Sequence, residues 1–451
     1  MTEWFSVSQG VKQGCVLSPT LFSIYVNDLV NVLNDANCGI NIDDTMISAL
    51  LYADDIVLLA PDEIKLQKLL DILNVWCSKW RILINQAKTK VIHFRNPGIS
   101  KSNAIFTCGN IKLDYCSHYK YLGVWLNEHC DYAFSAKELA KSANRALGVI
   151  KTKFIKCGGF SYKVYTHLYD SLVRPIFTYA SGIWGINVHK CINNLHINAC
   201  KFFIGLSKRS SNIAARGDMG WLQGDDIIKI ELFRLWNRIK SNSSNALCKA
   251  VHKWSIKRKS SWDYRTFRLG NKLGILQDKE DICNITNLWC SIWDRAKDTW
   301  NSNLWNDENK LNGNKLRSYR LYKTEIGTEN YVCKIRNKSH RKVLSMLRCG
   351  SLQLRIETGR YQKPPEKLSE RICIYCDRGE VEDEEHFIFN CDKYSPIRND
   401  FCAKACHYNP DFNHVSNQHK LLFLMTNEQI LPFFASCIFK MFELRNSLLV
   451  M

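Results

Sequence analysis

The sequence places two aspartates side by side, Asp54 and Asp55, between short apolar runs at residues 47–51 and 56–60. This pattern predicts a strand, an acidic turn and a second strand. Two adjacent carboxylates at a hairpin repel each other unless a cation neutralises them. Mg²⁺ binds through one or two carboxylates together with substrate phosphates, and two such ions can clamp the oxygens of a phosphoryl transfer. A plain solvated turn is the alternative that the local residues leave open.

A second candidate site lies near the C-terminus. Cys373, Cys376, His386 and Cys391 follow the spacing C-x2-C-x9-H-x4-C. Thiolates and an imidazole at this spacing suit a tetrahedral structural Zn²⁺ ion. The acidic stretch at residues 380–385 would favour a cation. A rival ligand set is formed by Cys402, Cys406 and His407. A chance grouping in a chain with 20 Cys and 12 His is the remaining alternative.

The elements that would position the aspartate pair alternate between helix and strand. Ser18 and Pro19 are typical of a helix N-cap and first turn, and apolar residues continue at helical spacing to Leu33. Periodicity predicts a second helix over residues 64–80 and strands at residues 91–94 and 119–126. Beyond residue 130 the pattern is mostly helical, with helices at 136–154 and at 162–184, the latter broken at Pro175.

These patterns predict an α+β fold with four segments. The first, residues 1–126, is the α+β part, and residues 127–300 are helical. Residues 301–335 are polar and Asn-rich and are interpreted as a linker, while residues 336–451 form a C-terminal helical region with the Cys/His unit.

The charge balance favours a polyanionic partner. The 451 residues carry 62 Lys+Arg against 43 Asp+Glu, a net charge of +19, which attracts polyanions. Nucleic acid is the commonest such partner, and an anionic membrane or plain solubility are the alternatives that the charge leaves open. The sequence has no run of about 18 uncharged apolar residues, so no transmembrane helix is expected. The first residues lack a basic patch followed by an apolar run, so no secretory signal is expected. The cysteines are therefore expected to be reduced, in a nuclear or cytoplasmic protein.

Four motifs in order give the sequence a resemblance to a known family. The first motif is Gly10-Val11-Lys12-Gln13-Gly14-Cys15-Val16-Leu17-Ser18-Pro19-Thr20-Leu21-Phe22, and the second is Tyr52-Ala53-Asp54-Asp55. The third is Asn85-Gln86-Ala87-Lys88-Thr89-Lys90, and the fourth is His118-Tyr119-Lys120-Tyr121-Leu122-Gly123-Val124. Together they resemble the motifs of reverse transcriptases, and most closely those of non-LTR (LINE-like) retrotransposons. The Cys-Cys-His-Cys unit, preceded by residues 356–360, resembles the unit that follows the polymerase in these elements.

The resemblance implies a fold and a set of roles. It implies a partial polymerase palm at residues 1–126, followed by a mostly helical thumb and connection region and a small zinc-binding unit. Asp54 and Asp55 would hold Mg²⁺ or Mn²⁺, and Lys88 would sit near the phosphates. Template, primer and nucleotide would be contacted by a further group: Gln13, Gly14, Tyr52, Tyr121, Leu122 and Gly123. The implied partners are an RNA template, a DNA primer and deoxynucleoside triphosphates.

The resemblance also implies another metal-binding aspartate on an earlier palm strand, and the sequence shows none at that place. Asp28 lies after the Gln-Gly turn, in the following helix, and is a poor substitute. The chain is therefore expected to be an N-terminally truncated portion that polymerises poorly or not at all by itself. The alternatives are a non-catalytic nucleic-acid binder that uses its basic helices and zinc unit, and an inert remnant.

A basic run at residues 238–261 carries the strongest positive charge in the sequence. Aromatic residues interleave with it or follow it: Trp254, Trp262, Tyr264 and Phe267. Such a mixture suits stacked bases and phosphates, and it suits equally a helix whose aromatic residues are core and whose lysines are solvated.

Overall fold

The structure, a computed structural model, describes residues 14–241, 246–279, 281–282, 284–306 and 315–448. It mixes helices and strands, as the sequence predicted, and every strand of the described residues precedes residue 128. The strands are β1 (Ile40–Ile42), β2 (Thr45–Ile47), β3 (Ala49–Tyr52), β4 (Asp55–Leu58), β5 (Lys90–Val91), β6 (Phe106–Cys108), β7 (Ile111–Tyr115), β8 (His118–Tyr121) and β9 (Val124–Asn127).

The helices of the described residues become frequent after the last strand. They are α1 (Ser18–Tyr25), α2 (Asn27–Asp35), α3 (Glu63–Lys79), α4 (Ala133–Lys156), α5 (Tyr162–Leu172), α6 (Arg174–Phe177), α7 (Ser181–Trp184), α8 (Lys190–Ile204), α9 (Asn212–Met219), α10 (Gly224–Ser241), α11 (Ala246–Ser255), α12 (Trp262–Lys272), α13 (Ile285–Trp305), α14 (Tyr319–Tyr322), α15 (Asn330–Lys334), α16 (Lys338–Arg348), α17 (Arg355–Thr358), α18 (Ser395–Tyr408), α19 (Asn417–Thr426) and α20 (Leu431–Leu448).

The chain divides into two compact units. One comprises the residues up to Ser135 together with Trp236–Arg268, and the other comprises Ala136–Leu235 together with Leu269 and the residues after it. The first unit contains all the strands of the described residues. Three antiparallel hairpins pair β1 with β2, β3 with β4 and β8 with β9, and a small sheet has the order β5-β7-β6, with β5 parallel to β7.

The core of the first unit forms around α3. Asp62 caps this helix by accepting a hydrogen bond from the Lys65 N–H, as an N-terminal aspartate should. The buried face of α3 presents Leu69, Leu73 and Trp76 to Leu29 and Leu33 of α2. The exposed ends of β3 and β4 extend from this core, because Ala49, Leu51, Ile56 and Leu58 pack against it.

Two local predictions in this unit were wrong. Residues 119–126 form two strands rather than one, because Leu122 and Gly123 both adopt positive φ angles (45° and 83°) and turn the chain into a hairpin. The first predicted helix is broken at Val26, whose ψ of 0° ends α1, and Leu17 rather than Ser18 occupies the N-cap of α1.

The second unit is helical, and its predicted break at Pro175 is confirmed between α5 and α6. Part of the stretch predicted as a polar linker is packed, since Leu316, Tyr319, Tyr331 and Val332 are buried. Within the described residues no single helix has the length and apolar character needed to cross a membrane, although α19 and α20, bent by 116°, would pass such a test as a pair.

Candidate metal centres

The aspartate pair lies at the tip of the β3–β4 hairpin, as the sequence predicted. Tyr52 pairs with Asp55, so Ala53 and Asp54 form the two-residue turn. Ala53 takes a positive φ of 52°, a conformation that costs a residue with a side chain some backbone strain. Both carboxylates are exposed, and Tyr52 is 64% exposed. A cation bound here would therefore keep room for water and phosphate oxygens, as Mg²⁺ requires.

A second hairpin of the same kind lies nearby in the sequence. The turn between β1 and β2 is formed by Asp43 and Asp44, and Asp43 has a positive φ of 46°. Both side chains are exposed. An acidic two-residue turn is thus not unique to the predicted site, and the two turns provide a matched comparison.

The β8–β9 hairpin is placed near the aspartate pair. The pKa of Tyr121 is raised, chiefly by burial of its phenol and further by the negative charge of Asp55. Asp55 and Tyr121 are 66 residues apart in sequence, and the structure brings them close enough for the charge of Asp55 to act on Tyr121. Leu122 and Gly123, at the tip of this hairpin, are two more of the residues predicted to contact template, primer or nucleotide.

Two hydrogen bonds hold the backbone of the turn that contains Lys88. Its N–H donates to the side chain of Asn85 (3.2 Å), and its carbonyl accepts a hydrogen bond from the Tyr119 hydroxyl (3.0 Å). The lysine side chain is exposed. Tyr119 therefore connects the turn that carries Lys88 to β8, the strand that ends in Tyr121.

The Cys/His cluster is assembled in the second unit. The ligand atoms of Cys373, Cys376, His386 and Cys391 all lie within 4.8 Å of one another. Cys373 Sγ and Cys391 Sγ are 4.0 Å apart, and Cys376 Sγ lies 3.4 Å from His386 Nε2. Tetrahedral Zn²⁺ would place two sulfurs roughly 3.8 Å apart and a sulfur and a nitrogen roughly 3.5 Å apart. The donor set and its spacing therefore fit zinc.

The local fold explains why these four side chains converge. Gly379, with φ of 67°, turns the chain after the first two cysteines, and the Cys373 N–H donates to the Glu380 carbonyl (2.8 Å). His386 begins a π-helical turn that ends at Asn390, and the Cys391 N–H donates back to the His386 carbonyl (2.8 Å). Burial raises the pKa of the Cys391 thiol to about 12, so a bound cation must displace its proton.

Among the described residues, this cluster alone brings three or more His, Cys, Asp or Glu ligand atoms so close together. The rival set of Cys402, Cys406 and His407 does not form such a group. Within the described part of the chain, no third carboxylate joins Asp54 and Asp55 in a group of this kind. Asp28 accepts a hydrogen bond from Trp76 Nε1 (3.1 Å), which ties it to the core of its unit.

The segment that contains the aspartate hairpin matches a known protein family. Residues 2–126 match the family described as reverse transcriptase (RNA-dependent DNA polymerase). The match includes Asp54, Asp55, Lys88 and Tyr121, whereas the Cys/His cluster lies beyond it.

Similar proteins point to mobile elements. The chain is 27% identical over 212 residues to the RNA-directed DNA polymerase from mobile element jockey of Drosophila funebris, an alignment that covers 45% of this chain and 22% of that protein. It is 27% identical over 196 residues to a probable RNA-directed DNA polymerase from transposon BS of Drosophila melanogaster, covering 42% and 21%. A putative uncharacterized transposon-derived protein, F52C9.6, of Caenorhabditis elegans is 31% identical over 141 residues, covering 31% and 50%.

These similarities support the resemblance to non-LTR retrotransposon reverse transcriptases. The alignments span about a fifth of the length of the first two relatives.

The upstream motif of the reverse transcriptase segment is described only in part. Gln13 lies outside the described residues, so its predicted role stays a prediction. Gly14 has a positive φ of 81°, and a Cβ there would meet no atom within 4 Å. The structure therefore shows a backbone reason for glycine at this position, and contact with template or nucleotide stays a prediction.

The basic run is exposed in its lysines and packed in its aromatic residues. Lys253, Lys257 and Lys259 are exposed, whereas Trp254 is half-buried. The Arg258 guanidinium lies 3.6 Å from the centroid of the Trp254 ring and donates to the Trp254 carbonyl. A base that stacked on this face of Trp254 would have to displace Arg258.

The role of Tyr119 was not predicted from the sequence, and neither were the ion pairs of the acidic stretch at residues 380–385. Tyr119 was not singled out, although its spacing of two from Tyr121 in a strand places both on one face. The acidic stretch was expected to attract a cation, yet Glu382 and Glu384 are buried and paired with Arg445 and Arg317. These two carboxylates are neutralised by arginines, because a buried unpaired charge would be too costly.

Proposed function

We propose that this chain contributes the metal-binding hairpin of an RNA-directed DNA polymerase of a non-LTR retrotransposon. The observation that carries the proposal is the exposed Asp54–Asp55 pair at the β3–β4 tip, within a segment that matches the reverse transcriptase family. In this proposal residues 1–126 form part of a polymerase palm and the helices after it form a thumb and connection region. The substrates are an RNA template, a DNA primer and deoxynucleoside triphosphates.

The two aspartates would hold Mg²⁺ or Mn²⁺. When bound, such ions neutralise the triphosphate and stabilise the oxygens that attack and leave the α-phosphate. The exposed hairpin tip leaves space for the triphosphate beside the carboxylates. Lys88 would place a positive charge where the pyrophosphate leaves. Tyr121, Leu122 and Gly123 would present the primer terminus, and the charge of Asp55 near Tyr121 supports this neighbourhood.

A second metal would be structural. Cys373, Cys376, His386 and Cys391 would bind Zn²⁺, since their donor set and distances fit a tetrahedral site. The zinc would hold the 373–391 loop in place and let the C-terminal unit contact nucleic acid. This unit, with the exposed lysines of the basic run, forms the basis of a second candidate function: nucleic-acid binding without catalysis.

The experiment that tests the polymerase proposal compares Asp54→Asn with Asp44→Asn. Asp44 is the matched control, because it is an exposed aspartate in a two-residue hairpin turn of the same unit. The chain alone is expected to extend a primer on an RNA template only weakly in Mg²⁺ or Mn²⁺, and this weak extension should fall about 10²-fold in Asp54→Asn, since misplaced metals misalign the reacting groups. It should be unchanged in Asp44→Asn.

Binding of the template–primer, measured in parallel, separates the two candidates. Asp54→Asn should not weaken it, because removing a negative charge does not harm capture of a polyanion. Measurable extension that is equal in the Asp54→Asn variant and the unmodified chain would contradict the polymerase proposal. Binding without extension in any variant would favour the second candidate.

A further inference from the structure

The imidazole ring of His386 has a partner at each of its nitrogens. Nε2 lies 3.4 Å from Cys376 Sγ, on the side of the cysteine ligands. Nδ1 lies 2.8 Å from the Glu380 carboxylate. A nitrogen that binds a metal uses its lone pair, so the neutral ring must carry its proton on the other nitrogen. Nδ1 then donates to Glu380, and Nε2 is left as the metal ligand.

Contacts within the loop of residues 373–391 hold Glu380 in place. It follows the turn at Gly379, and its carbonyl accepts the N–H of Cys373. Its carboxylate also accepts a weaker hydrogen bond from the Asn390 amide (3.4 Å). One residue thus contacts the backbone of the first cysteine ligand through its main chain and the ring of the histidine ligand through its side chain.

We infer that Glu380 is a positioning residue of the zinc site, which fixes the tautomer and orientation of His386. The inference rests on the zinc proposal above. Carboxylate partners of ligating histidines typically change metal affinity by 10–100-fold. The His386 side chain is 2% exposed, but that of Glu380 is 44% exposed, so water can partly replace it. We therefore expect an effect at the lower end, about tenfold.

The other acidic residues of the loop have different partners. Glu382 and Glu384 pair with buried or half-buried arginines, and Asp383 accepts the backbone N–H of His386 (2.9 Å). Glu385 is exposed, and its carboxylate accepts a hydrogen bond from the Asn417 amide (2.9 Å). Glu385 is therefore the matched control, because its removal takes the same charge from the same loop without a contact to the imidazole ring.

The test measures zinc affinity by competition with a chelator of known affinity in the full chain and in the variants Glu380→Ala, Glu380→Gln and Glu385→Ala. Glu380→Ala should bind zinc about tenfold more weakly. Glu380→Gln keeps a hydrogen-bond acceptor without the charge, so its zinc affinity should lie between those of Glu380→Ala and the unmodified chain. Glu385→Ala should match the unmodified chain.

Two further readouts separate orientation from general damage. The absorption spectrum of the Co²⁺-loaded variants should keep the pattern of a tetrahedral three-sulfur, one-nitrogen site. Long-range ¹H–¹⁵N NMR of the zinc-loaded chain should show His386 protonated on Nδ1. Equal affinities of Glu380→Ala and Glu385→Ala would overturn the inference and leave the zinc site standing. An unmodified chain that takes up no zinc would overturn the zinc proposal itself.

Discussion

At the scale of single residues, the sequence reveals the ligands of both candidate sites but not the tertiary contacts around the aspartates. The neighbouring aspartates and the spaced cysteines are visible as patterns, because ligands that lie close in sequence also lie close in space. The proximity of Asp55 to Tyr121 and the hydrogen bond from Tyr119 to Lys88 are tertiary facts. No local rule predicts them, and the resemblance to a family placed Asp55, Lys88 and Tyr121 in one site without Tyr119.

Burial also gives one residue a pH-dependent effect on stability. His196 is buried in the second unit, where Nδ1 lies 2.9 Å from the Tyr169 hydroxyl. Its pKa is lowered to about 3, mainly by burial and further by the nearby charge of Arg216. Because the unfolded state binds this proton more readily, the stabilisation is complete above about pH 6.5 and is lost as the pH falls toward 3.

The change His196→Asn should remove this pH dependence. Between pH 6.5 and 5.5 the unmodified chain should lose roughly 1 kcal/mol of unfolding free energy relative to the variant. Urea denaturation of both proteins at the two pH values measures the difference. Identical pH slopes would show that His196 titrates alike in the folded and unfolded states.

At the scale of elements, a long helix and the aspartate hairpin are confirmed, and two predicted strands differ from the structure. The helix expected at residues 64–80 is α3, and the strand–turn–strand around the aspartates is the β3–β4 hairpin. The strand expected at 91–94 has only two paired residues, Lys90 and Val91. The hairpin within 119–126 was missed because its turn requires Leu122 at a positive φ, which sequence rules reserve mainly for glycine and asparagine.

One buried ion pair joins α20 to the loop of residues 373–391. Arg445 of α20 donates two hydrogen bonds to Glu382 (2.7 and 2.8 Å), and both side chains are nearly inaccessible. The change Arg445→Met would leave the Glu382 carboxylate buried without its cation. Breaking such a pair by removing one partner costs about 3 kcal/mol or more, and we expect that loss in denaturant unfolding.

The exposed pair between Lys334 and Glu428 provides the control for this prediction. Its side chains are 46% and 48% exposed, so Lys334→Met should cost less than about 1 kcal/mol. Similar losses in the two variants would mean that the Arg445–Glu382 pair does not hold α20 to the loop.

At the scale of the whole molecule, the net charge of +19 leads us to expect binding of nucleic acid whichever function is correct. Affinity for RNA or DNA, and its decline with salt, therefore does not distinguish a polymerase from a binder. What distinguishes them is a divalent cation at the aspartate pair. The composition predicts a polyanionic partner, but the division into two units, with residues 236–268 joined to the first, could not be read from it.

The most direct test is a Mn²⁺ titration of the chain with template–primer and a deoxynucleoside triphosphate, followed by electron paramagnetic resonance. We expect the unmodified chain and the Asp43→Asn/Asp44→Asn variant to bind Mn²⁺ alike. The Asp54→Asn/Asp55→Asn variant should bind it at least about tenfold more weakly, since carboxylates are its main protein ligands there. Equal Mn²⁺ binding by all three proteins would contradict the assignment of the β3–β4 hairpin as the catalytic metal site.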